Sequence, residues 1–125
     1  MSDVLDLEQA FLSLTGSGRA DELAGEHFGV RLSKAPPDMA YLVGVYPFAD
    51  DWPHWEMHPR GHEVLVFLEG RIEMTLEEDG RRRVVEAGPG QTLMIPPGAR
   101  HIARILEPGR MLGITFGEGT QHRPK

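Results

Sequence analysis

Apolar positions change their period early in the chain. Val4, Leu7, Phe11 and Leu14 fall at steps of three and four, which places them on one helical face and predicts a short amphipathic helix over residues 3–15. After Gly16-Ser17-Gly18 a second helical turn is expected at residues 20–23. From there short apolar runs alternate with Gly, Pro and Asp, and the expected elements become strands: 27–32, 39–48, 55–58, 63–68, 71–76, 82–86, 92–95, 101–105 and 110–116. Short strands at regular spacing suggest a sandwich or barrel. Asp79-Gly80 between two alternating runs is the strongest hairpin signal, joining 71–76 to 82–86. Pro36-Pro37 marks a loop between early strands, and no interdomain linker or repeat is visible.

At 125 residues the chain has the size of one domain with a core of its own, so one site is expected. Cysteine is absent, which excludes disulfides, thiolate nucleophiles and zinc ribbons and leaves imidazole and carboxylate as metal ligands. The net charge of -6 argues against nucleic acid. Its one dense basic run, Arg81-Arg82-Arg83, follows the acidic Glu77-Glu78-Asp79-Gly80, so opposite charges cancel locally. The start of the chain has acids among its apolar residues and no unbroken apolar run, so neither a signal peptide nor a membrane span is expected, and the expected location is cytoplasmic.

Candidate chemistry concentrates in His54-Trp55-Glu56-Met57-His58-Pro59-Arg60-Gly61-His62-Glu63. On an extended strand His54, Glu56 and His58 share a face, with Trp55 and Met57 on the other. Pro59-Arg60-Gly61 then turns the chain so that Glu63 returns near the same point. A second stretch runs from Gly90 through Pro96-Pro97-Gly98 and delivers His101, its prolines limiting the freedom of the turn. Imidazole with carboxylate suits iron(II), manganese(II), zinc and nickel(II).

These two stretches resemble the paired motifs of the cupin superfamily, G-x5-H-x-H-x4-E-x6-G and G-x5-P-x-G-x2-H-x3-N. Here they read Asp50-x5-Glu56-x-His58-x4-Glu63-x6-Gly70 and Gly90-x5-Pro96-x-Gly98-x2-His101-x3-Ile105, with every spacing kept. The wording around residues 55–63 also looks like that of small bacterial single-domain cupins. The resemblance implies an all-β jelly-roll barrel, a double-stranded β-helix, over residues 25–120. Residues 1–24 would be a helical segment packed on it, and 121–125 a flexible end.

It also implies one divalent ion held by Glu56, His58, Glu63 and His101. Asp50 and Ile105 depart from the motifs outside that shell; Glu56 departs within it, standing where the family has its first histidine. Two carboxylates would nearly offset a divalent charge, and Glu56 has two open roles, ligand or general base.

His54 lies about 6 to 7 Å along a strand from Glu56, which places it at the rim as a second proton-transfer candidate rather than a ligand. His62 is expected to face away from Glu63. Trp55 and Met57 need cover, either from the N-terminal segment or from a second subunit, and the latter reading, with the cupin habit of dimerising, predicts a homodimer. Alternation separates Tyr41 and Val43 from Tyr46, and Arg104 either meets an anionic substrate or faces outward. The resemblance implies a metal-dependent enzyme on a small organic substrate, dioxygenase first and isomerase or lyase next. The competing function is a non-catalytic metal or small-molecule binding module or sensor.

Overall fold

The computed structural model describes residues 3–24, 39–116 and 121–124. Among them there is no helix, and nine strands make one curled sheet. In chain order these are β1 (Ala10–Thr15), β2 (Ala20–Ala24), β3 (Met39–Phe48), β4 (His54–Met57), β5 (Glu63–Glu78), β6 (Arg81–Ala87), β7 (Thr92–Ile95), β8 (Arg100–Thr115) and β9 (Gln121–Pro124). The expected all-β architecture is therefore present, and the expected N-terminal helix is not.

The N-terminal correction has a physical cause. Residues 10–15 bury Phe11, Ser13 and Thr15 on one side, a period of two, so the helical spacing of Val4, Leu7, Phe11 and Leu14 was misleading. Strand pairing overrides it: β1 joins β2 in an antiparallel hairpin and lies on its other edge against β3, with Leu12 opposite Val43. Thr15 closes the hairpin, its Oγ1 accepting from the Arg19 N–H at 2.9 Å. The second helical turn expected at 20–23 is β2. Phe11 meets Tyr46 edge-on at 5.2 Å, so this hairpin backs a residue of the candidate site. The strand expected at 27–32 and the Pro36-Pro37 loop lie outside the described residues.

Strands β5 and β8 form the spine. They pair antiparallel from Glu63↔Thr115 to Glu77↔Arg100, with irregular register around residues 67–72. The sequence divides each into two strands, at Glu69-Gly70 and at Leu106–Gly109; the chain instead bends there without ending the pairing. Gly70 has φ +82, and a Cβ on it would stand 2.6 Å from the Pro108 carbonyl oxygen. Across from it, a Cβ on Gly109 would stand 1.9 Å from that of Glu69. Two glycines let two backbones cross at this corner, and the bend curls the sheet. Elsewhere β5 pairs with β7 near its start and with β6 near its end, through Asp79 (φ 50) and Gly80 (φ 76), the positive pair of the predicted two-residue turn.

The core fills the inside of the curl with Phe48, Leu65, Phe67, Ile72, Met74, Leu76, Ile95, Ala103 and Met111. Outside it, Trp55 and Met57 are buried as well. Residues of the same chain cover the Trp55 ring: the guanidinium groups of Arg82 and Arg123 each stand 5.3 Å from its centroid. Arg123 belongs to β9, where the sequence suggests a flexible end. That segment pairs along β4 in the register His54↔Pro124, Trp55↔Arg123, Glu56↔His122 and Met57↔Gln121. No helix among the described residues is long and apolar enough to cross a membrane.

Candidate metal centre

Three strand ends bring four residues together inside the curl. Strand β4 presents Glu56 and hands on to His58, β5 opens with Glu63, and β8 presents His101 at its second position. Register enforces the meeting, because Glu56 lies directly opposite His101 and directly opposed residues share a face. The proline-rich turn before His101 is docked on the other histidine's backbone, with Gly98 N–H donating to the His58 carbonyl at 3.0 Å. One ligand atom from each of Glu56, His58, Glu63 and His101 lies within 4.8 Å of all the others.

The inner three residues are buried and tightly spaced. His101 Nε2 stands 3.1 Å from Glu63 Oε1, and His58 Nε2 stands 3.3 Å from Glu63 Oε2. Glu56 is looser: its side chain is 32% exposed and its Oε2 is 4.0 Å from His58 Nε2. Burial pushes the Glu63 carboxyl up, and hydrogen bonds and charge from His101 and His58 outweigh it, bringing it down to about 2. Burial pushes His101 down, and its hydrogen bond and attraction to Glu63 prevail and leave it raised.

These atoms fit a divalent cation. His101 Nδ1 is 3.0 Å from the Ala99 carbonyl, which can only accept, so the ring carries its hydrogen there and turns Nε2 on Glu63. Two lone pairs facing at 3.1 Å require a cation between them or a proton on the ring. Metal bonds of about 2.1 Å place neighbouring ligand atoms about 3 Å apart and opposite ones about 4.2 Å apart, close to the spacing found here. Two imidazoles and two carboxylates suit iron(II), manganese(II), zinc or nickel(II).

The cluster opens on a cavity of ≈ 390 Å³. Tyr46, Pro47, Phe48, Trp52, Leu65 and Met111 make its apolar wall; Glu56, His58, Glu63, Thr115 and His122 make the polar side. His101, fully buried, stays behind that polar side, with Trp52 against its ring at 5.9 Å. Two of the polar residues are not evident from the sequence. Thr115 lies opposite Glu63 and donates its Oγ1 hydrogen to Glu63 Oε2 at 2.9 Å, fixing the carboxylate's orientation. His122 lies opposite Glu56, its Nε2 3.5 Å from Glu56 Oε1. Alternation along a strand ending at Thr115 could have singled out the first; the second lies in a four-residue strand with no apolar residue but Pro124 to announce it.

His54, the other proton-transfer candidate, is exposed, pairs with Pro124 at the strand's far end and does not line the cavity. The strand's rise carries it away from Glu56 along the sheet. His62 is exposed and faces away from Glu63, as alternation requires. Arg104 takes its outward reading: its guanidinium grips Glu73 across the strands at 3.2 and 3.0 Å.

The pKa shifts predict how metal-free protein responds to pH. Glu63 is depressed, so the stability it contributes is complete above its ordinary 4.5 and is lost as pH falls towards about 2. Its shift corresponds to about 3 kcal/mol. His101 is raised, so its contribution is complete below 6.5 and is lost as pH rises through its folded value. Both describe one pair and are not summed. Urea unfolding of apo protein should therefore show greatest stability between about pH 4.5 and 6.5, declining on both sides. A profile level from pH 3 to 8 would contradict the pairing.

The family Cupin_2, described as Cupin domain, matches residues 42–116, well over half of the chain. The chain is a cupin. No curated protein matches it. Among solved structures, a cupin superfamily protein from Desulfitobacterium hafniense DCB-2 is 17% identical with a TM-score of 0.51, covering 90% of this chain and 83% of that one. Oxalate decarboxylase from Bacillus subtilis, in a study of its Mn(II) centres, is 18% identical with a TM-score of 0.56 over 70% of this chain and 24% of its own. The iron(II) form of HppE with substrate is 16% identical with a TM-score of 0.52, over 62% and 47%. This cupin thus spans about a quarter of the decarboxylase and under half of HppE, and at these identities the likeness is one of fold.

Proposed function

We propose that this cupin is a metal-dependent enzyme acting on a small organic substrate, with dioxygenase chemistry first and isomerase or lyase chemistry next. The observation that carries the reading is the opening of a four-residue ligand cluster onto a ≈ 390 Å³ cavity with a largely apolar wall, the form of a small-molecule site. His58, Glu63 and His101 would hold the ion, with Glu56 as a looser fourth ligand. A bound divalent ion supplies Lewis acidity and, if it is iron, the capacity for electron exchange with dioxygen.

The remaining work belongs to the chain. Phe48, Trp52 and Met111 bind the substrate's body and exclude water from one side. Thr115 keeps Glu63 turned towards the histidines, leaving Glu56 as the carboxylate able to accept a proton from substrate. The two neighbours whose descriptions name Mn(II) and iron(II) support a transition metal in a fold of this kind.

The test is oxygen uptake and product analysis with iron-loaded protein over small phenols, diketones and keto acids. Wild type should turn over a member of that panel. Glu56→Gln should keep stoichiometric metal, with affinity reduced about tenfold, while turnover falls at least about 100-fold, the usual worth of a general base. Full metal occupancy without conversion of any member would favour the binding module instead. Wholesale metal loss in Glu56→Gln would make Glu56 an essential ligand rather than a base.

A further inference from the structure

The C-terminal strand inserts an imidazole where none is expected. Strand β4 runs between β8 and β9, so Glu56 has His101 directly opposite on one side and His122 directly opposite on the other. The two oxygens of Glu56 are divided between neighbours: Oε2 faces His58 Nε2 at 4.0 Å, and Oε1 faces His122 Nε2 at 3.5 Å. Glu63 shows the same division deeper inside, with Oε1 on His101 and Oε2 between His58 and the Thr115 hydroxyl. Each carboxylate therefore has one oxygen beside a further side chain: Glu63 Oε2 accepts from Thr115 at 2.9 Å, and Glu56 Oε1 stands 3.5 Å from His122 Nε2.

We propose that His122 is a positioning residue of the metal centre, which holds Glu56 Oε1 and thereby presents Oε2 to the ion as a single-oxygen ligand. The position matters because Glu56 stands where the cupin pattern has a histidine: a carboxylate there has two equivalent oxygens and an extra rotatable bond, and an imidazole has neither ambiguity. An N–H held on one oxygen resolves which oxygen binds.

The other face of β9 shows why His122 stays in place. Alternation turns Arg123 outward, where it lies over the Trp55 ring and within 3.9 Å of Glu77 Oε1. Arg82 lies over the same ring and holds Glu77 Oε2 at 2.9 Å. Trp55 and Glu77 thus clamp the strand from outside while His122 reaches the cavity from inside. A flexible tail would place an imidazole there only part of the time; a paired and clamped strand keeps it there.

This inference rests on the metal reading, and cobalt(II) separates the two, because its binding is read from visible absorption without any substrate. Wild type should bind one equivalent. His122→Phe should weaken cobalt(II) at least about tenfold, within the range seen when a ligand's hydrogen-bond partner is removed, and should change the visible band shape. His122→Gln, which keeps an N–H, should recover much of both. In a Glu56→Gln background, His122→Phe should add nothing further, because its action runs through that carboxylate. His122 is 54% exposed on its side chain, so apo unfolding should be unchanged in all His122 variants. Unchanged affinity and spectrum in His122→Phe would overturn the proposal, as would an equal loss in the Glu56→Gln background. Failure of wild type to bind cobalt(II) would overturn the metal reading, and this proposal with it.

Discussion

Substituting glutamine for His101 should lower the affinity of this cupin for divalent metal by at least about 100-fold, beyond what loss of an outer partner costs. His101 is the least replaceable ligand for three connected reasons. It is fully buried, so water cannot take its place. Its Nδ1 is committed to Ala99, which leaves Nε2 as the one lone pair directed at the cluster. The amide of Gln can still donate to Glu63, which limits the cost of leaving that carboxylate buried beside an empty position. Isothermal titration with zinc or manganese on apo protein, with circular dichroism to verify the fold, measures the loss. Near-wild-type affinity would remove His101 from the metal shell.

The second large effect lies far from the ligands. Gly109→Ala should destabilise the protein by about 3 kcal/mol, the upper part of the range for forcing added volume into a packed interior. The new Cβ would stand 1.9 Å from the Glu69 carbonyl oxygen and 2.6 Å from Gly70 Cα, both backbone atoms of a strand that cannot retreat without breaking its pairing. That corresponds to roughly 10 °C in melting temperature for a domain of this size. Gly16→Ala, where a Cβ would meet nothing within 4 Å, is the control and should change little. An unchanged melting temperature for Gly109→Ala would mean that the β5–β8 corner does not hold the curl. The site depends on that corner, because β5 carries Glu63 and β8 carries both His101 and Thr115.

The legible parts of this fold were those fixed by short-range chemistry. Residues 39–48 and 92–95 are short apolar runs bounded by turn residues and are strands with those bounds, and Asp79-Gly80 makes the turn its composition demands. Motif spacing located Glu56, His58, Glu63 and His101, which the structure brings within one cluster. Long-range pairing set the rest. Leu7, Phe11 and Leu14 have helical spacing, but residues 10–15 gain more by joining β2 and β3, with Ser13 and Thr15 taking buried places that no polarity rule would assign to them. Gly70 and Gly109 fall in the gaps between expected strands; in fact each is where one strand makes room for another. His122 was illegible for a related reason: Gln121–Pro124 has almost no apolar signal, and the strand exists because β4 offers it an edge and Trp55 offers its guanidinium a ring.

The cluster of Glu56, His58, Glu63 and His101 is proposed to hold one divalent ion. The most direct measurement is elemental analysis of protein purified without added metal, followed by thermal unfolding of the stripped protein with iron(II), manganese(II), zinc or nickel(II) added singly. About one equivalent of a transition metal in wild type is predicted, with a melting temperature that falls on stripping and returns with at least one of the four ions, in keeping with ligand-linked stability. Protein that contains no metal and whose melting temperature none of the four ions raises would contradict it.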